Sequence, residues 1–209
     1  MTRTARDRGQ AFPIYIVMVA SLLFLAFAFF AVGQASATRN GAQGAADAAA
    51  LAAAKDARGQ LRSGFINAIG NPASWQGWLN GQGFLTASAC SAADRLADAN
   101  DADVLDCARQ DWPDRGFTVE IETRYTVGRS VIPGTENKKA TAEATAVIEP
   151  RCRFKEDEDA DEDEENPRFE FRCDGGKRWI IDPGDEDFDP WKRGVLPSVA
   201  DLFSVRLDD

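Results

Sequence analysis

Four cysteines, Cys90, Cys107, Cys152 and Cys173, are the residues of this chain best suited to covalent chemistry, and no histidine accompanies them. Without histidine there is no Ser-His-Asp or Cys-His nucleophile, no histidine-ligated zinc and no histidine acid or base near neutral pH. The cysteines also lack the CxxC spacing of redox and zinc-binding thiols. What remains is disulfide formation, a carboxylate pair drawn from Glu120, Glu122, Glu143 and Asp182, and calcium held by oxygens. The three glutamates fall on the solvent positions of an alternating pattern, where exposed carboxylates occur in any case. The acidic run Glu156 to Glu165 lacks the glycine turn and the spaced terminal glutamate of a calcium loop, and Asp182, Asp185, Asp187 and Asp189 signal no more strongly. The expectation is no catalytic residue, no metal site, no cofactor and no small-molecule substrate: a protein that is not an enzyme.

Four cysteines in an exported domain suggest two disulfides, for which three connectivities exist. Pairing Cys90 with Cys107 and Cys152 with Cys173 is favoured. An uninterrupted helix would hold Cys90 and Cys107 ~25 Å apart, so a bond requires the chain to turn back. Asn100-Asp101 is the natural corner, with Asp101 expected to cap a second short helix. Each pairing closes a loop whose restriction in the unfolded chain is worth ~3 kcal/mol, which matters for a domain with a small core.

The elements that must position these cysteines follow from periodicity. Phe117, Val119, Ile121, Tyr125 and Val127 alternate with Thr118, Glu120, Glu122, Arg124 and Thr126, as in a half-buried strand. Ala140, Ala142, Ala144, Ala146 and Ile148 repeat the alternation, and Pro133-Gly134 lies in the loop between the two. Phe169 to Cys173 and Leu202 to Leu207 are shorter alternating runs, so an antiparallel sheet of about four strands is expected. Trp75, Trp78 and Phe84 read as anchors of a small core, and Ala87 to Ala99 as a helix. The net charge of −10 is local, because Lys155 to Glu165 carries nine acids and one lysine. That run is expected to be a solvated, disordered loop. No basic face is present to bind nucleic acid.

The N-terminal third is of another kind. No charge occurs between Arg8 and Arg39, and Ala11 to Gly33 is strongly apolar. A bilayer is crossed by ~20 apolar residues in a helix, and Pro13 falls in the first turn, where it costs little. Arg3, Arg6 and Arg8 against Asp7 put the N-terminus in the cytoplasm and the rest of the chain outside. A cleaved secretory signal, cut near Ala35-Ser36-Ala37, is the competing reading, but the apolar stretch exceeds the ~7–15 residues of a signal core. The alanine-rich stretch beyond continues the helix to about residue 69, with Asn71-Pro72 as its stop. Along it Gly33, Ala37, Gly41, Ala45, Ala49, Ala53 and Ala57 are small and spaced by four, a ridge that lets another helix approach closely. Whether that helix belongs to the same chain or another is open.

Arg8-Gly9, then the hydrophobic helix, then Ala45-Ala46-Asp47-Ala48-Ala49-Ala50-Leu51-Ala52-Ala53-Ala54 together resemble the N-terminal domain of the TadE/TadG-like pilus assembly proteins. In that family an ADAAALA stretch follows the anchor at about this distance. The resemblance is strongest over residues 8–55, and the later features are similar to forms found in Gram-positive filamentous bacteria. It implies a minor pilin-like component of a tight-adherence pilus or related secretion apparatus, whose helix meets sister copies or other pilus and secretion-system subunits. One position departs from the prepilin pattern: the fifth residue beyond Gly9 is Ile14, not glutamate, which argues against processing after Gly9.

The expected architecture is therefore α+β: a cytoplasmic N-terminus (1–10), a transmembrane helix (11–33), an alanine-rich extension (34–70), a helical segment and β-hairpin (71–154), an acidic loop (155–166) and C-terminal strands (167–209). The expected role is a single-pass, membrane-anchored, extracytoplasmic component of pilus assembly. The alternative is an anchored extracellular binding module unrelated to pili.

Overall fold

The computed structural model describes residues 11–69, 77–78, 83–111, 115–128, 134–156, 169–182, 184–190, 192 and 194–208. Arg3, Arg6, Asp7, Arg8, Gly9, Asn71, Pro72, Trp75, Pro133 and the acidic run beyond Glu156 lie outside these residues.

Helix α1 (Ala11–Asn67) is 57 residues long and unbroken, ~85 Å at ~1.5 Å per residue. Alanine carries it beyond the apolar segment, since no residue there costs the helix more than glycine does. It ends by tightening: the Ile69 N–H donates to the Ile66 carbonyl at 3.2 Å. Around its distal half the other described elements form a head. Helix α2 (Thr86–Asp98) packs on α1, burying Ala89, Ala92, Ala93 and Ala97. Strands β1 (Ala102–Gln110), β2 (Gly116–Thr123), β3 (Thr141–Pro150) and, later in the chain, β7 (Phe203–Asp208) form an antiparallel sheet in the order β1-β2-β3-β7. The second sheet is three-stranded, from β4 (Cys152–Glu156), β5 (Phe169–Cys173) and β6 (Arg178–Ile181). A one-turn helix, α3 (Val199–Leu202), leads into β7.

The core lies between these layers. Ala42, Ala45, Ala46, Ala49, Ala50, Ala53, Ala54 and Ala57 are buried, followed by Leu61, Phe65 and Ile66. Two alanines per turn allow α2 on one side and the sheet on the other to approach the same helix closely. Phe117, Val119 and Ile121 of β2 stand opposite Ala146, Ala144 and Ala142 of β3, so the large side chains of one strand fill the room left by the small ones of the next. At the far end Phe65 meets Phe171 edge-on, with centroids 5.5 Å apart, which seats the second sheet over the end of α1. Phe84 packs at 5.7 Å from Phe117, and Trp78 lies against Gly64.

Two expectations are corrected. The residues after Asp101 form strand β1, not a second short helix. A register shift between Val104 and Asp106 leaves Leu105 exposed and reverses the phase of the alternation, so the strand does not show period two in sequence. Asp101 itself is at the corner, at φ 53°, the left-handed region that Asp tolerates better than most residues. Phe169 to Cys173, expected in the one sheet, belongs to the second. Pro150 ends β3 and the chain changes sheets at Arg151, whose N–H donates to the Leu202 carbonyl at 2.8 Å.

Candidate functional site

Among the described residues the most distinctive feature is α1 and the way the head grips it. From Phe12 to Val32 its large side chains stand in the open; Phe12 is 73% exposed and Phe29 76%. Only 6% of the most apolar eighteen-residue window is buried, whereas the core helix of a globular domain would be mostly covered. Water does not tolerate such a surface on a helix of this length. Among the described residues it is the one helix long and apolar enough to cross a membrane.

The seven small residues of the expected ridge divide between two fates. Gly33 and Ala37 are exposed, and nothing lies within 4 Å of where a Cβ on Gly33 would be. Gly41 receives the hydroxyl end of Tyr125 in the space a Cβ would occupy. Ala45, Ala49, Ala53 and Ala57 are buried inside the chain's own head. Geometry explains the division. A step of four residues advances ~40° around a helix of 3.6 residues per turn, so Gly33 lies about a third of a turn from Ala45. Sequence spacing did not reveal that Ala31 and Thr38 are buried; they share one face of α1 with Gln34, Ala42, Ala45 and Ala49, and Gln34 and Thr38 interrupt its apolar pattern.

The cysteines form disulfides Cys90–Cys107 and Cys152–Cys173. The first joins α2 to β1, with Cα atoms 5.9 Å apart. The second joins register partners of β4 and β5; beyond it these strands lead out to the acidic run and back. Of the candidate carboxylates, Glu120, Glu122 and Glu143 occupy solvent-side strand positions, and Asp182 lies just beyond β6. Asp106, Glu120 and Glu143 stand in one row of register partners across β1, β2 and β3, and Glu122 pairs with Lys139 at 2.8 Å. Asp182 and Asp185 accept from the backbone N–H groups of Gly184 and Asp187, the local turn bonds that short acidic side chains make. Among the described residues no group of acids, or of acids and cysteines, is arranged to hold a metal ion.

Two ion-pair junctions brace the head. Arg124 bonds Asp103 through Nε at 2.8 Å and Asp98 through Nη1, tying the end of α2 to the start of β1 across the Asp101 corner. The hydrogen bond from Arg124 holds the Asp103 carboxyl below its ordinary range. At the other junction Asp201 accepts from Lys177 at 2.6 Å and completes a capping box with Ser198. These partners, Lys177 first, lower its carboxyl to about 2.

No curated protein and no solved structure matches the chain. The family model for Flp pilus-assembly TadE/G-like proteins matches residues 9–56, a span that takes in the exposed apolar helix and its alanine-rich continuation as far as Asp56. The match supports a pilus-related role; the N-terminal segment of this chain is similar to that family's.

Proposed function

We propose that this protein is a single-pass, membrane-anchored, extracytoplasmic component of Tad-type pilus assembly, minor pilin-like and non-catalytic, with its short N-terminus in the cytoplasm and its head outside. The observation that carries the reading is that the TadE/G-like match, residues 9–56, coincides with the exposed apolar helix and its extension into the head. Arginines before the helix support the orientation. The unbroken helix across Ala35, Ser36 and Ala37 supports a retained anchor over a cleaved signal, because a cut there would sever α1 within its length.

One observation favours the alternative, an anchored binding module. Ala45 to Ala57, the richest part of the small-residue ridge, is occupied by the head, which leaves Gly33 and Ala37 as the ridge's open positions for another helix. The test is a single cysteine at Ala37, crosslinked in cells that express the pilus apparatus. A ladder of self-crosslinks, or a crosslink to a pilus or platform subunit, is expected. A protein that resists alkaline extraction from membranes yet stays monomeric and uncrosslinked would transfer support to the binding module.

A further inference from the structure

We infer that the head is not held above the membrane on a stalk but sits directly on the bilayer, with the lower end of the β2–β3 hairpin, around Tyr125, Val127 and Lys138, against the lipid headgroups. The inference rests on the anchor reading given above.

The contacts between head and helix form a scale of height along α1. Phe171 meets Phe65, the Leu85 N–H bonds Gln60 at 2.7 Å and Ser88 bonds Asp56 at 3.0 Å. Lower down, Gln43 bonds the Glu143 carbonyl at 3.3 Å and Tyr125 reaches Gly41. The scale does not stop there. Thr38 is 6% exposed and Ala31 4%, and Gln34 between them has its Oε1 buried. All three lie on the stripe that faces the head at Ala42, Ala45 and Ala49. Ala31 lies within the apolar segment, two residues before its end at Gly33, ~3 Å along the helix. A head that covers α1 to that level leaves no gap for water between itself and the membrane surface.

The hairpin supplies the reach. Beyond the regular strands its two sides stay bonded, Thr123 to Ala140 and then Val127 to Lys138, each at 2.9 Å. The chain bends at Arg124 and Tyr125, and on the other side only two residues separate Ala140 from Lys138, so the second bonded pair lies up to ~7 Å beyond the first, which carries Val127 and Lys138 below Thr123 toward the level of Ala37. The side chains at this end suit a headgroup layer. Tyr125 is 37% exposed, and Lys138 and Arg39 are exposed cations. Tyrosine and basic residues are what membrane–water interfaces favour.

The test uses the full chain in vesicles of phosphatidylcholine and phosphatidylglycerol. The four native thiols are in disulfides, so one introduced cysteine carries one environment-sensitive fluorophore: Lys138→Cys, Ile180→Cys on the far sheet, or Phe24→Cys in the apolar segment. Lipids bearing a nitroxide at the headgroup or in the acyl chain quench the label at their own depth. Headgroup nitroxide is expected to quench the Lys138→Cys label and to spare the Ile180→Cys label, which lies on the sheet seated at Phe65, roughly 40 Å farther along α1. Equal quenching at Lys138 and Ile180, with Phe24→Cys quenched from the acyl chain, would overturn the seated head while leaving the anchor intact. Loss of acyl-chain quenching at Phe24 would overturn the anchor reading, and this inference with it.

Discussion

At the scale of single residues, the head depends on side chains that join parts far apart in sequence. Asp201 is the clearest: it caps α3, bonds Lys177 and so fastens β7 to the second sheet. Its carboxyl titrates at about 2 against an ordinary 3.8. A depressed folded value means that the stabilisation is complete above about pH 4 and is lost as pH falls from about 4 to about 2. Asp201→Asn is therefore expected to lower the urea midpoint at neutral pH, and the gap from the parent should close on acidification through that window. A gap that persists unchanged near pH 2 would show that the loss comes from packing and not from the charge. Glu120 and Glu143 contribute in the opposite sense, since like charges directly opposite on neighbouring strands repel.

At the scale of elements, α2 is tied to the sheet at both ends. Arg124 holds its C-terminal end, and Cys90–Cys107 bonds its first half to β1. The ion pairs are exposed and add little, whereas closing a loop of separation 17 is worth ~3 kcal/mol. Replacing both Cys90 and Cys107 by alanine is expected to reduce stability by ~3 kcal/mol, with amide exchange accelerating in Thr86–Asp98 more than in β2 or β3. Uniform acceleration across the head would mean that α2 and the sheet open as one unit. This scale also shows where reading a sequence by period fails. The buried faces of β2 and β3 were legible because Phe117, Val119 and Ile121 and the facing alanines alternate without interruption. β1 was not legible, because its bulge reverses the phase at Leu105. β4 and β6 have five and four residues, too few for a period of two to stand out.

At the scale of the molecule, anchor and head share one helix, so the head has no complete core without it. Ala42 to Phe65 form one wall of that core. A chain beginning at Gln34 keeps this wall and loses the exposed apolar segment, so it is expected to remain in solution and melt cooperatively. A chain beginning at Gly70 lacks the wall and is expected to give no cooperative melt by circular dichroism. A cooperative melt of that shorter chain would show that α2 and the sheets make a sufficient core alone. The same sharing fixes the angle of the head to α1. A hinge between them would have to break the alanine packing, which is continuous from Ala42 to Ala57.

The sequence by itself determined the local and one-dimensional properties of this protein. Composition excluded histidine chemistry, the charge-free apolar run marked a helix able to cross a membrane, and alternation marked the two central strands. The TadE/G-like segment was readable because its signature is contiguous. The tertiary structure decided which surface meets which. Gly33 and Ala57 have the same spacing and similar size, yet one is open and the other is enclosed by α2 and the sheet. Spacing records only the angle around a helix axis; what lies at that angle depends on chain that returns from tens of residues away. Ala31, Gln34 and Thr38 make the same point. Nothing in their types marks Ala31 and Thr38 as buried or the Gln34 Oε1 as shielded from solvent.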